Sequence, residues 1–258
     1  MQPDLFTIGS LTLHAHGLFM ALGFTVAILT TAWIAKTEGT TSHTVLGSAL
    51  VMGLGAIIGS RILYVILSPA YFRYHPFEIL KVWEGGLVFV GGMVFGAACL
   101  AWYTRLKGLS FLSTADLWVP AVALGEGIGR IGCLAAGCCY GKITGLPWGI
   151  VFSNPRSLAP LHVPLHPTQL YASLSGFLIF GILLFLHARK KFTGQLLLWY
   201  LILHSTSTLL VEKFRGDYRW LIPGTEMTFT QLISLLILIG SAILLLFIKP
   251  SDQQNQRE

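Results

Sequence analysis

The chain is 258 residues long, 54% hydrophobic and only 11% charged, with a formal net charge of +6. Soluble domains carry about 25% charged residues. This composition therefore excludes an ordinary soluble domain and points to helices that cross a lipid bilayer. The excess of cations reads as membrane-flanking Lys and Arg and as groups serving an anionic ligand, not as a nucleic-acid footprint.

In chain order, the first eighteen residues hold no Lys or Arg, so no cleavable signal peptide is expected. His14 and His16 fall just before the first apolar run, where an imidazole is either a base near neutral pH or polar trim. Apolar runs then predict spans at roughly 17–36, 45–68, 86–105, 116–135, 168–187, 195–212 and 228–248. The fold class is thus an all-α integral membrane protein of about seven transmembrane helices, with a long outer loop between spans four and five. One polytopic membrane domain covers 1–250, and a polar tail covers 251–258. Basic residues after the odd-numbered spans, above all Arg189, Lys190 and Lys191, mark the cytoplasmic side and place the N-terminus outside. The outer loops are then 69–85, with interfacial aromatic residues, 138–167, with five prolines and a W-G-I-V-F run that suits a short strand, and 213–227.

The densest stretch is Gly129–Gly141, G-R-I-G-C-L-A-A-G-C-C-Y-G. It sets Arg130 deep in an apolar run, where a cation is costly unless it is paired or faces a cavity. Glu126, one turn earlier, either neutralises Arg130 or leaves it for a ligand. Arg61 either snorkels to the interface or binds an anion. Glu212 and Arg215 are spaced for a local ion pair, and Thr168 in H-P-T-Q-L-Y is placed to cap a helix. Cys138-Cys139 and His162-x-x-x-His166 offer soft ligands on one loop but lack C-x-x-C spacing, so neither a metal nor a cofactor is expected.

These stretches resemble the bacterial prolipoprotein diacylglyceryl transferase family. The likeness runs in order through L-H-A-H-G-L, G-S-R-I-L-Y, V-W-E-G-G-L-V-F-V-G-G, Asp116, the Arg130 motif, H-P-T-Q-L-Y and V-E-K-F-R-G-D. The resemblance implies an enzyme of the bacterial cytoplasmic membrane. It would move the diacylglyceryl group of phosphatidylglycerol, drawn from the surrounding membrane lipids, to the lipobox cysteine thiol of preprolipoprotein signal peptides, with glycerol phosphate leaving. It implies substrate-binding roles for Arg130, Arg61, Glu212, Arg215, Gly141, His166, Gln169 and Tyr171. The family's histidine is replaced by Val90, its tyrosine by His16, its asparagine by Cys133, a glutamate by Cys138 and an arginine by Thr208. The acid–base candidates beside Arg130 are therefore His14, His16 and Cys138. Two other readings stay open: a paralogue that relays a lipid-derived group through Cys138 to another acceptor, and a non-catalytic protein that holds phosphatidylglycerol or a metal.

Overall fold

Apolar runs of about twenty residues form helices because only a helix satisfies its own backbone in lipid. The computed structural model describes residues 3–8, 11–219 and 221–248, so the tail expected over 251–258 lies outside the described residues. The long helices are α1 (Ala15–Thr37), α2 (Ser42–Leu67), α4 (Phe89–Leu106), α5 (Phe111–Ala136), α6 (Thr168–His187), α7 (Gln195–Glu212) and α8 (Phe229–Phe247), at the predicted places. Five of them, α1, α2, α5, α6 and α8, are long and apolar enough to cross a membrane. The protein is an all-α multi-pass membrane protein. The apolar run of helix α7, itself continuous, is broken by the polar run His204–Thr208. A one-turn helix α3 (Pro69–Phe72) and two 3-10 turns (Pro76–Leu80 and Val82–Glu84) fill the loop after α2.

Two antiparallel pairs add to this. Strands β1 (Asp4–Ile8) and β2 (Leu11–His14) form a hairpin that leads directly into α1. The sequence reading missed it, and it moves His16 from the segment before the first span into the first turn of α1. The expected strand in W-G-I-V-F is β3 (Ile150–Val151), which pairs with β4 (Pro164–Leu165). Phe152, Ala159 and Leu165 give the long loop a small core of its own.

The chain divides into two units. The first joins the residues up to Thr31 with those from Ala115 onwards; the second runs from Ala32 to Thr114. In the first, Val119 and Ala123 of α5, Ile179 and Leu183 of α6 and Leu196 of α7 form a buried cluster. Asp116, fully buried, fixes one end of it: its carboxylate accepts from the backbone N–H groups of Gly194 (2.7 Å) and Leu197 (2.9 Å) at the start of α7. It thus serves as an N-cap supplied by a neighbouring helix, and Lys190 Nζ lies 3.6 Å away. In the second unit α2 and α4 meet where Gly59 faces Gly91, and a Cβ on either would run into the other's carbonyl.

Candidate active site

Arg130 lies one and a half turns from the end of α5. Its Nη2 donates to Glu126 Oε1 at 3.1 Å, the i,i+4 neutralisation that the spacing allows. The other carboxylate oxygen of Glu126 is 3.2 Å from Nδ1 of His204 on α7, so one carboxylate joins a guanidinium to an imidazole. Tyr200, one turn before His204, stacks on its ring. Sequence reasoning missed His204. The signal was there, because His204, Thr208 and Glu212 recur every four residues and so share one face of an otherwise apolar helix.

These groups open on a polar cavity whose lining includes Glu126, Arg130, Gln169, His204, Glu212 and Arg215. Four expected substrate-binding residues, Arg130, Gln169, Glu212 and Arg215, are brought together there. Arg215 does not pair with Glu212 as the i,i+3 spacing suggested. Its Nε and Nη2 make a bidentate pair with Asp217 (2.8 and 2.6 Å), because the chain turns out of the helix after Glu212 and brings Asp217 round to it. Glu212 instead meets Arg219 Nη2 at 3.3 Å and accepts from Thr228 Oγ1 at 3.3 Å.

Gly141, His166 and Tyr171 lie behind Arg215 and support it. The Tyr140–Lys142 backbone runs beside the 214–216 backbone, through Lys142 N to Phe214 O (2.8 Å) and Gly216 N to Tyr140 O (3.0 Å). It also pairs with His166, through Gly141 N to His166 O (3.2 Å). A side chain at Gly141 would collide with the His166 carbonyl and approach that of Phe214, so only glycine fits between the two segments. The rings of His166 and Tyr171 pack with Phe214, and the Tyr171 hydroxyl lies 3.0 Å from Trp148 Nε1 and 3.3 Å from His166 Nδ1.

Thr168 does not cap α6, whose N-cap residue is Pro167. Pro167 delivers it as the first helical residue, and its Oγ1 reaches back to donate to Cys139 O at 2.7 Å, while Gln169 Nε2 donates to Cys138 O at 2.8 Å. Both side chains are buried. The H-P-T-Q run therefore clamps the Cys138–Cys139 turn, in which Cys139 takes the left-handed φ of 58°. Hydrogen bonds from the Cys133 and Cys138 thiols, with the Arg215 and Arg130 guanidinium groups nearby, hold the Cys139 thiol well below the usual thiol range. Its hydrogen bonds with Cys133 and Cys139 push Cys138 up. His16 Nδ1 is 3.9 Å from Cys133 Sγ.

The other expected residues are engaged differently. His14 is largely exposed and its Nδ1 is 2.7 Å from Asp4 Oδ1. In the second unit, buried Arg61 donates to the carbonyls of Ile79 (2.9 Å), Gly85 (2.6 Å), Gly86 (3.3 Å) and Glu78. Its guanidinium also lies against the rings of Tyr64 and Phe72. That geometry ties down the 78–86 loop and occupies the donors a phosphate would need.

Fold and site together define a multi-pass helical membrane protein with a polar, arginine-lined cavity among its helices. The family model described as prolipoprotein diacylglyceryl transferase matches residues 3–247, and the chain belongs to that family. It is 36% identical over 239 residues to the phosphatidylglycerol–prolipoprotein diacylglyceryl transferase of Clostridium tetani, covering 93% of this chain and 94% of that one. The protein of the same name from Clostridioides difficile is 31% identical over 258 residues, the full length of both chains. A relative numbered as the second such transferase of Clostridium perfringens is 34% identical over 244 residues, 95% of this chain and 94% of its own.

Proposed function

We propose that this chain is a phosphatidylglycerol–prolipoprotein diacylglyceryl transferase of the bacterial cytoplasmic membrane. The reading is supported by relatives of that name along nearly the whole chain. The observation that carries it is the cavity, where Arg130, Gln169, Glu212 and Arg215 meet although they come from three separate stretches of sequence.

Guanidinium groups hold a phosphodiester by charge-assisted hydrogen bonds, and Arg130 and Arg215 take that part towards the lipid headgroup with the N–H groups that Glu126 and Asp217 do not hold. The acceptor cysteine loses its proton and its sulfur bonds to the glyceryl carbon. The carbon–oxygen bond to phosphate breaks, and the electron pair leaves on glycerol phosphate. The two arginines stabilise the negative charge that grows on the departing phosphate. The proton passes to His204, whose Nδ1 is committed to Glu126 and whose Nε2 is the remaining ring nitrogen. Among the candidates expected from sequence, His14 is paired with Asp4, and His16 and Cys138 belong to the thiol cluster. Arg61, with its donors on loop carbonyls, acts on the fold of its own unit.

The test uses the purified protein in phosphatidylglycerol micelles with a synthetic lipobox peptide, followed by intact mass. A diacylglyceryl gain on the cysteine peptide, absent on its Cys→Ser counterpart, is the expected result. No gain on the peptide, with a lipid-derived mass on Cys138 or Cys139 of the protein, would replace direct transfer by a cysteine relay.

A further inference from the structure

We propose that His16, Cys133 and Cys138 form a site for one thiophilic metal cation in tetrahedral coordination, of the class represented by Zn(II), with the fourth position left to a solvent ligand. None of these three residues lines the phosphate-handling cavity, and the site does not depend on the transferase reading. The nitrogen or sulfur donors of His16, Cys133 and Cys138 all lie within 4.8 Å of one another, the one such cluster of three among the described residues. A tetrahedral zinc with Zn–S near 2.3 Å and Zn–N near 2.0 Å sets its ligand atoms roughly 3.5–3.8 Å apart. His16 Nδ1 and Cys133 Sγ, at 3.9 Å, stand within a few tenths of an ångström of that separation. Two thiolates and a neutral imidazole suit a soft or borderline ion, not Mg(II) or Ca(II).

The donors are held by structure rather than gathered by chance. His16 is fixed in the first turn of α1, and Gly132 lets α5 approach so closely that a Cβ there would lie 3.2 Å from the His16 Cα. The Cys138–Cys139 turn is clamped through its carbonyls by the buried Thr168 and Gln169. These hydrogen bonds use the backbone oxygens and leave the sulfurs for an ion, as the supporting contacts of metal sites do. The outermost of these donors are more than a hundred residues apart in sequence, yet the fold brings them to one point. The loop pair His162 and His166 is not part of the cluster, and His166 Nδ1 lies against the Tyr171 hydroxyl instead.

The experiment takes the whole reduced protein in detergent, stripped with a chelator, and titrates it with Co(II) as a spectroscopic probe that Zn(II) then displaces. One equivalent should bind with sulfur-to-cobalt charge transfer and the strong visible bands of a tetrahedral site, and Zn(II) should abolish both. Cys138→Ser and His16→Ala should each weaken binding by about tenfold or more, while His162→Ala leaves it unchanged. Thermal melting of each variant without metal shows that it is folded. Weak octahedral cobalt bands only, uptake of several equivalents without saturation, or loss of binding in His162→Ala but not His16→Ala would each overturn the proposal. So would a failure of the protein to bind cobalt when a thiol count shows all four cysteines reduced.

Discussion

Arg130, Glu126 and His204 divide one carboxylate between two nitrogen partners, and this arrangement predicts how substitutions separate binding from chemistry. Arg130→Ala removes one of the two guanidinium groups that line the cavity and should lower transfer by at least about 10²-fold, read as product mass against time. Arg130→Lys should recover little of that, because a point charge cannot reproduce the paired donors that face a phosphate. His204→Gln keeps a polar side chain but takes away the proton acceptor. It should lower kcat by about 10²-fold or more while leaving phosphatidylglycerol binding nearly intact. A loss in KM alone would make His204 a binding residue. Arg130 was legible in the sequence because a cation inside an apolar run has to be explained. His204 was not, since one imidazole in a His-Ser-Thr-Ser-Thr run looks like helix surface until its four-residue spacing to Thr208 and Glu212 is set against α5. Nor could sequence say that Arg61 spends its donors on loop carbonyls, because those partners are 17 to 25 residues away.

At the scale of elements, the start of α6 and the N-terminal hairpin each hold a neighbouring segment in place. Thr168→Val keeps the shape of the side chain but leaves the Cys139 carbonyl without its buried donor. It should cost about 1–3 kcal/mol in unfolding experiments and open the Cys138–Cys139 turn to thiol reagents. The hairpin is tied to the long loop by Asp4, whose Oδ2 is 2.7 Å from Arg156 Nη1. Hydrogen bonds from Arg156 and His14 hold the Asp4 carboxyl below its ordinary value of 3.8. A depressed carboxyl contributes stability that is fully present above its unfolded pKa and is lost as pH falls through the folded one. Asp4→Asn should therefore speed amide exchange in β1 and β2 at neutral pH. That difference should vanish once pH falls below the carboxylate range; a pH-independent difference would point to shape and not charge. The seven long helices were readable because twenty apolar residues leave few alternatives. The hairpin was overlooked because its alternating Leu-Phe-Thr-Ile and Leu-Thr-Leu runs are short, although the Gly9-Ser10 pair between them is a turn signal.

Across the whole molecule, α5 orders the first unit from end to end. Asp116 caps α7 near its first turn, and Arg130 meets Glu126 and the cavity near its last. The fourteen-residue step from Asp116 to Arg130 spans roughly 21 Å of helix, much of a bilayer's apolar thickness. The loop that carries Lys190 therefore lies at the Asp116 end, and the loop that carries Cys138 and Gly141 at the Arg130 end. We propose that the Asp116 end faces the cytoplasm, where the Arg189–Lys191 cluster would follow the rule for basic loops, and that the Arg130 end faces outward. Lys142 and Lys191 are both exposed, so they report on the two ends without any substitution. Intact cells treated with an amine reagent that cannot cross the membrane should carry the label on Lys142 and not on Lys191, and permeabilised cells should carry it on both. Labelling of Lys191 in intact cells would invert the orientation and place the phosphate-handling arginines on the cytoplasmic side. A thiol acceptor arriving from outside could not reach them there, so this measurement also tests whether the cavity faces the compartment that the proposed reaction needs.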